Sequence, residues 1–254
     1  VVGLLPWVFL LPPGGWSGEI IGGWEAQPHS RPYMAYLRIR RGDKISGCGG
    51  FLVAENFVLT AAHCQGEEVT VYLGAHNVRQ PEDTRQEITV QLQTPHENYN
   101  KANLHNDIML LQLKSNAELN SWVDIVKLPN VKEKVKPYTV CSIAGWGFTS
   151  TESSLYPDTL QEVEVQVMPD AACPRKPVWL YGHYNPKTMM CVGNPSYCRD
   201  SAQGDSGGPL VCDDTAQGIV SWGPCKAPGV YTKISAFLPW LKKTMKRLGD
   251  RPRL

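Results

Sequence analysis

Three short segments each carry a residue able to take part in proton transfer or nucleophilic attack: Leu59-Thr60-Ala61-Ala62-His63-Cys64, His105-Asn106-Asp107-Ile108-Met109-Leu110-Leu111 and Gly204-Asp205-Ser206-Gly207-Gly208-Pro209. A serine hydroxyl is a poor nucleophile at neutral pH. It needs an imidazole to accept its proton and a carboxylate to hold that imidazole in the right tautomer. His63, Asp107 and Ser206 supply that set in the order His, Asp, Ser. The order excludes a lipase or esterase reading, because α/β-hydrolase folds carry the same types as Ser, acid, His. A lone histidine is more often a packed core residue, and His29, His76, His96, His105 and His183, which lack such surroundings, are read that way. His105 is expected beside the triad without a share in proton transfer.

The elements that must position these residues read as strands. Ile88, Val90 and Leu92 alternate with Thr89, Gln91 and Gln93, and Val163, Val165 and Val167 alternate with Glu164 and Gln166, the period of half-buried antiparallel strands. Gly42, Gly74, Pro81, Pro95, Pro129, Pro157 and Pro169 punctuate the chain, which predicts many turns, few helices and an all-β sandwich or barrel. One helix is predicted at the C-terminus, with Ser235 as N-cap and Leu238, Leu241, Met245 and Leu248 at helical spacing. Its other face carries Lys242, Lys243, Lys246 and Arg247, followed by Arg251 and Arg253.

A chain of 254 residues with 42% hydrophobic and 19% charged content is ordinary for a packed protein of one large or two small domains. Its formal net charge of +1 gives no reason to expect a nucleic-acid partner. Cys48, Cys64, Cys141, Cys173, Cys191, Cys198, Cys212 and Cys225 are spread out and show no zinc-ligand spacing, so disulfides and an oxidising compartment are expected and no metal. Eight cysteines alone leave roughly 105 possible pairings. Val1 to Leu11 is apolar but too short to span a bilayer, and Pro12, Pro13 and the small residues Gly14 and Gly15 follow. Residues 1–17 are therefore read as a signal peptide, incomplete at its start because no initiating Met is present. No other stretch approaches the length of a membrane helix. No N-glycosylation is expected, since Asn194 precedes Pro195 and no other asparagine has Ser or Thr two residues on.

The three motifs, with Ile20-Ile21-Gly22-Gly23, Pro28-His29-Ser30-Arg31-Pro32-Tyr33-Met34-Ala35, Cys48-Gly49-Gly50-Phe51-Leu52, Ala144-Gly145-Trp146-Gly147 and Ser221-Trp222-Gly223, resemble the chymotrypsin-like serine peptidases. The likeness runs from about Ile20 to Leu248 and is nearest to the granzyme, mast-cell chymase and cathepsin G branch. It implies two six-stranded antiparallel β-barrels with the site in the cleft between them, and a peptidase domain over residues 20–254. It also implies disulfides Cys48 to Cys64, Cys141 to Cys212 and Cys173 to Cys191, which leaves Cys198 and Cys225 to pair. The implied oxyanion hole is the backbone N–H of Gly204 and of Ser206. No cofactor is implied.

The same resemblance implies activation by cleavage before Ile20, whose new ammonium pairs with Asp205. Glu19 precedes the cut, so a trypsin-like activator has nothing to recognise, and Gly18-Glu19 is read as an activation dipeptide removed in a storage granule. The expected location is the secretory granule and then the extracellular space. For specificity, the resemblance puts Asp200 six residues before the nucleophile at the floor of the primary pocket, followed by Ser201, with Gly223 and Gly229 as its walls. An aspartate there favours cleavage after Arg or Lys. The chain departs from trypsins at Ala202, where they carry a cysteine, and Arg199 is placed to neutralise Asp200. The alternatives are an apolar, chymase-like preference, or a granule protein that binds polyanions without proteolysis. Expected partners are protein or peptide substrates and acidic proteoglycan on the basic C-terminal helix. The chain is expected to be monomeric.

Overall fold

The computed structural model describes residues 23–131, 133–147, 157–173, 183–193, 205–223 and 228–249. Thirteen strands and one α-helix are described among them. A two-residue strand β1 (Trp24–Glu25) precedes the first barrel, built from β2 (Met34–Arg41), β3 (Lys44–Ala54), β4 (Phe57–Thr60), β5 (Glu68–Leu73), β6 (Gln86–Pro95) and β7 (Met109–Leu113). These close in the order β2-β3-β4-β7-β6-β5, with β5 pairing back onto β2 from Leu73 opposite Ala35 to Glu68 opposite Arg40. The alternating residues of β6 lie here, with Ile88 buried opposite Val71. Pro95, expected in a turn, ends β6 opposite Met109 instead.

The second barrel comprises β8 (Val140–Gly145), β9 (Gln161–Val167), β10 (Met189–Gly193), β11 (Pro209–Cys212), β12 (Thr215–Trp222) and β13 (Gly229–Lys233). The ring runs β8-β9-β10-β13-β12-β11 and closes where β11 meets β8, with β1 added to β9. Val163, Val165 and Val167 turn into its core while Glu164 faces out. The expected all-β pair of six-stranded antiparallel barrels is what forms. Closure pairs every strand of each ring on both sides, which removes the free edges an open sheet would expose.

The helix α1 (Leu238–Gly249) follows β13 through a 3-10 turn at Ile234–Phe237. Ser235 lies inside that turn and does not cap the α-helix. The chain bends directly out of β13 to bury Ile234 and Phe237, and helical geometry begins only at Leu238. Pro239 then occupies the first helical turn, where its missing N–H costs nothing. Leu238, Leu241 and Leu248 pack against the first barrel although the helix grows out of the second, while Lys242, Lys243, Lys246 and Arg247 stand exposed. The helix thus straps the barrels together. Among the described residues no helix is long and apolar enough to cross a membrane.

Three disulfides form, Cys48–Cys64, Cys141–Cys212 and Cys173–Cys191, the pairings the resemblance implied. Cys198 and Cys225 lie outside the described residues, as do the leader, the activation dipeptide, Ile20, Arg199, Asp200, Ser201, Ala202 and Gly204.

Candidate active site

His63 sits in a single 3-10 turn, Ala62–Cys64, at the end of β4. Ala62 and Cys64 are buried and Cys64 is bonded to Cys48 of β3, so the turn is pinned on both sides of the imidazole. The imidazole itself keeps 25% of its surface in solvent. Asp107 lies two residues before β7 in a stretch where Leu104 and Asn106 adopt positive φ, at 53° and 56°. This strained bend delivers the carboxylate to the interior, where it is fully buried.

A buried carboxylate is tolerated only when its oxygens are satisfied. Asp107 Oδ1 accepts the backbone N–H of His63 at 2.9 Å. Asp107 Oδ2 accepts His63 Nδ1 at 2.7 Å and the hydroxyl of Ser221 at 2.5 Å. The Thr232 hydroxyl donates to the backbone carbonyl of Asp107 at 2.8 Å. Both Asp107 oxygens accept in this arrangement, so Nδ1 is the donor toward Oδ2 and Nε2 is the ring nitrogen left to accept a proton. Nearby, burial first and then the Asp107 charge push the Tyr99 hydroxyl up to about 12, which keeps it neutral.

Ser206 belongs to the tight turn leading into β11, and that turn is seated against the first barrel. Its carbonyl accepts the N–H of Gly49 in β3 at 2.8 Å. Gly207 has φ of +85°, and a Cβ there would come within 2.1 Å of Thr60 Oγ1. Only glycine lets this turn approach the strand that leads to His63. Asp205, 1% exposed, accepts the backbone N–H of Gly147 on Oδ1 at 2.8 Å. A Cβ on Gly145 or Gly147 would strike the same carboxylate, at 2.1 and 2.6 Å. The Ala144-Gly145-Trp146-Gly147 segment is therefore a cradle for the residue beside Ser206.

Gly223, at the end of β12, and Gly229, at the start of β13, face each other: a Cβ on Gly223 would lie 2.7 Å from the Gly229 Cα. His105 donates its Nε2–H to the carbonyl of His183, 2.7 Å away, and takes no hydrogen bond to His63 or Asp107 among the described residues. The sulfurs of Cys48 and Cys64 lie close to a His63 ring nitrogen, but both are consumed in a disulfide and supply no thiolate for a metal. Sequence reasoning assigned no role to Ser221, Thr232 or the cradle glycines. Ser221 entered only as part of the Ser221-Trp222-Gly223 motif of the resemblance, and nothing marked it as a partner of a carboxylate 114 positions away.

The model of the family described as Trypsin matches residues 20–241. The chain belongs to the trypsin family. Human granzyme H is 51% identical over 247 residues, covering 96% of this chain and 98% of the relative. Human granzyme B is 49% identical over 246 residues, with 96% and 98% covered, and human cathepsin G is 48% identical over 245 residues, with 96% and 94% covered. A solved structure described as "Structure of GrC" superposes with a TM-score of 0.84 at 46% identity, covering 89% of this chain and all of the other. This trypsin-family chain is a serine endopeptidase, and the resemblance to the granzyme and cathepsin G branch is borne out. Its substrates are proteins.

Proposed function

We propose that peptide hydrolysis proceeds through an acyl-enzyme on Ser206, with His63 as the base and Asp107 as its orienting partner. The observation that carries this is the buried Asp107 carboxylate held against Nδ1 of a partly exposed His63, which leaves Nε2 as the nitrogen free to accept a proton. In the first half-reaction Nε2 takes the Ser206 hydroxyl proton as Oγ attacks the scissile carbonyl carbon. The C–N bond then breaks as Nε2 returns that proton to the leaving amine. Water repeats the sequence on the ester and releases the acid. The N–H groups of Gly204 and Ser206 stabilise the oxyanion, a contribution of about 3 to 4 kcal/mol per donor in comparable sites.

The primary pocket takes Arg or Lys against Asp200. The glycine pair Gly223 and Gly229, which the resemblance puts at the pocket walls, supports this reading, since the two meet with no side chain on either. A charge-assisted contact of that kind is worth about 1.5 to 3 kcal/mol, and an apolar substrate would leave Asp200 unpaired. Activation is release of Ile20 by removal of Gly18-Glu19, after which the ammonium pairs with Asp205. The burial of Asp205 in its glycine cradle supports it. The leader, the activation dipeptide and the relatives' names together support storage in a secretory granule and release outside the cell. The exposed cations of α1 suit an acidic proteoglycan, and the working unit is a monomer.

The test is turnover by protein beginning at Ile20 of matched peptides with Arg or Lys, against Phe, Leu and Met, before the scissile bond, with Ser206→Ala as control. Preference for Arg or Lys is the expected result. Preference for the apolar set removes Asp200 from the pocket floor and gives the chymase-like alternative. Turnover that survives Ser206→Ala overturns the mechanism, and absence of turnover in the parent leaves only polyanion binding.

A further inference from the structure

Beside His63 lies a cavity of about 590 Å³ whose walls carry two cations, Arg41 and Lys101, and, among the described residues, no acidic side chain. They come from different walls. Arg41 ends β2, at the β2–β3 hairpin, and Lys101 lies in the connection between β6 and β7 with Tyr99 and Leu104.

Arg40 and Arg41 are neighbours with opposite surroundings. Arg40 faces away from the cavity and is neutralised twice, by Glu67 at 3.1 Å and Glu68 at 3.0 Å. Arg41 has no carboxylate within salt-bridge distance among the described residues, and neither has Lys101. Arg41 instead spends its donors on neutral acceptors: Nε to the Gln65 carbonyl at 2.8 Å, Nη2 to the His63 carbonyl at 3.0 Å and Nη1 to the Ser46 hydroxyl at 2.9 Å. A guanidinium has five N–H groups, so one remains on each terminal nitrogen. The seat on three acceptors fixes the charge in place, and a ligand carboxylate meets a preorganised cation without the cost of ordering a free side chain.

We propose that Arg41 and Lys101 make this cleft select substrate segments with Asp or Glu at two positions around the scissile bond, one read by each cation. The proposal rests on the catalytic reading of His63 and Ser206. The two cations stand on separate walls beside the same imidazole, so a peptide lying across His63 meets them at different residues.

The experiment measures kcat/KM for a peptide series in which the residue before the scissile bond is fixed and each of three positions on either side is varied among Asp, Asn and Lys. The parent, Arg41→Gln and Lys101→Gln are compared, with active sites counted by a fluorophosphonate that labels Ser206. The readout is the Asp to Asn ratio at each position. That ratio is internal to each variant, so a general slowing through the His63 turn does not enter it. The parent is expected to favour Asp by about fivefold at two positions. Each variant should lose the preference at one position and keep it at the other, and Arg41→Lys should restore most of what Arg41→Gln loses. At about 1 M salt, where screening acts within about 3 Å, both preferences should shrink. A flat Asp to Asn ratio in a parent that labels fully overturns the proposal and leaves the catalytic reading standing, as does a preference both variants keep. Failure of the fluorophosphonate to label overturns the catalytic reading itself.

Discussion

The two barrels share a strand count and a topology but divide the work differently. The first holds its functional groups on the shortest tethers available: His63 sits in a three-residue turn clamped by a disulfide, and Asp107 lies two residues from β7. Its core is a large aliphatic cluster in which Leu37, Ile39, Phe51, Leu59 and Leu110 are fully buried. The second barrel has a smaller core and two of the three described disulfides. It supplies Ser206 and the glycines Gly223 and Gly229 from strand ends and turns, where Gly207 and Gly223 leave no room for a side chain. The first barrel thus holds its groups on a fixed base, and the second carries, in the proposed mechanism, the nucleophile and the pocket glycines. The contacts that join them at the site include Gly49 to Ser206, Ser221 and Thr232 to Asp107, and α1 strapped across the first core.

The largest effect tests whether this division is real at the level of chemistry. His63→Ala removes the group of the first barrel and Ser206→Ala that of the second, and each should lower kcat by about 10⁵ to 10⁶. The double variant should be no slower than either, because the two act as one unit. Additive losses, read by single-turnover kinetics, would mean that the barrels contribute separately. A smaller loss should follow from Ser221→Ala, which removes a second-barrel donor from a fully buried carboxylate. Losing one such hydrogen bond costs about 1 to 3 kcal/mol, or roughly five- to 160-fold if it is felt in the transition state. Ser221→Thr keeps the hydroxyl and should recover part of kcat. A loss in KM alone would show that Ser221 shapes substrate binding and does not position Asp107.

The same division governs what could be read from the sequence. His63, Asp107 and Ser206 were legible because each sits in a motif of adjacent residues, and their order along the chain discriminates between folds. The alternation in β6 and β9 was legible because one face of each strand is buried and the period of two survives in composition. Ser221 and Thr232 were not, because a hydroxyl in an apolar strand carries no local mark of the carboxylate it meets across the barrel interface. The glycines of Ala144-Gly145-Trp146-Gly147 were seen as part of a resemblance, but their reason, the space Asp205 needs, appears only once the chain is folded. Ser235 misled for a related cause: a good capping residue at the right spacing was overruled by the demand to bury Ile234 and Phe237 before the helix begins.

The smallest expected effect concerns the strap. His96 follows directly on β6, and its ring packs edge-on against Phe237 at 5.2 Å and tilted against Trp240 at 5.1 Å, between the first barrel and the start of α1. Burial lowers its pKa below the ordinary value of 6.5, with Glu97 opposing the shift. The native state therefore binds this proton less readily than the unfolded chain, and stability must fall as the pH drops through and below about 6.5, where the unfolded chain is protonated first. His96→Gln should cost some packing at neutral pH, yet flatten the decline in melting temperature between about pH 7 and about pH 5. Deuterium exchange at α1 gives the regional reading. Faster exchange of the α1 amides in acid, with the amides of the first barrel unchanged and the effect absent in His96→Gln, places the sensitivity in the strap. A decline of equal slope in parent and variant would assign it to other groups and leave the two barrels joined independently of pH.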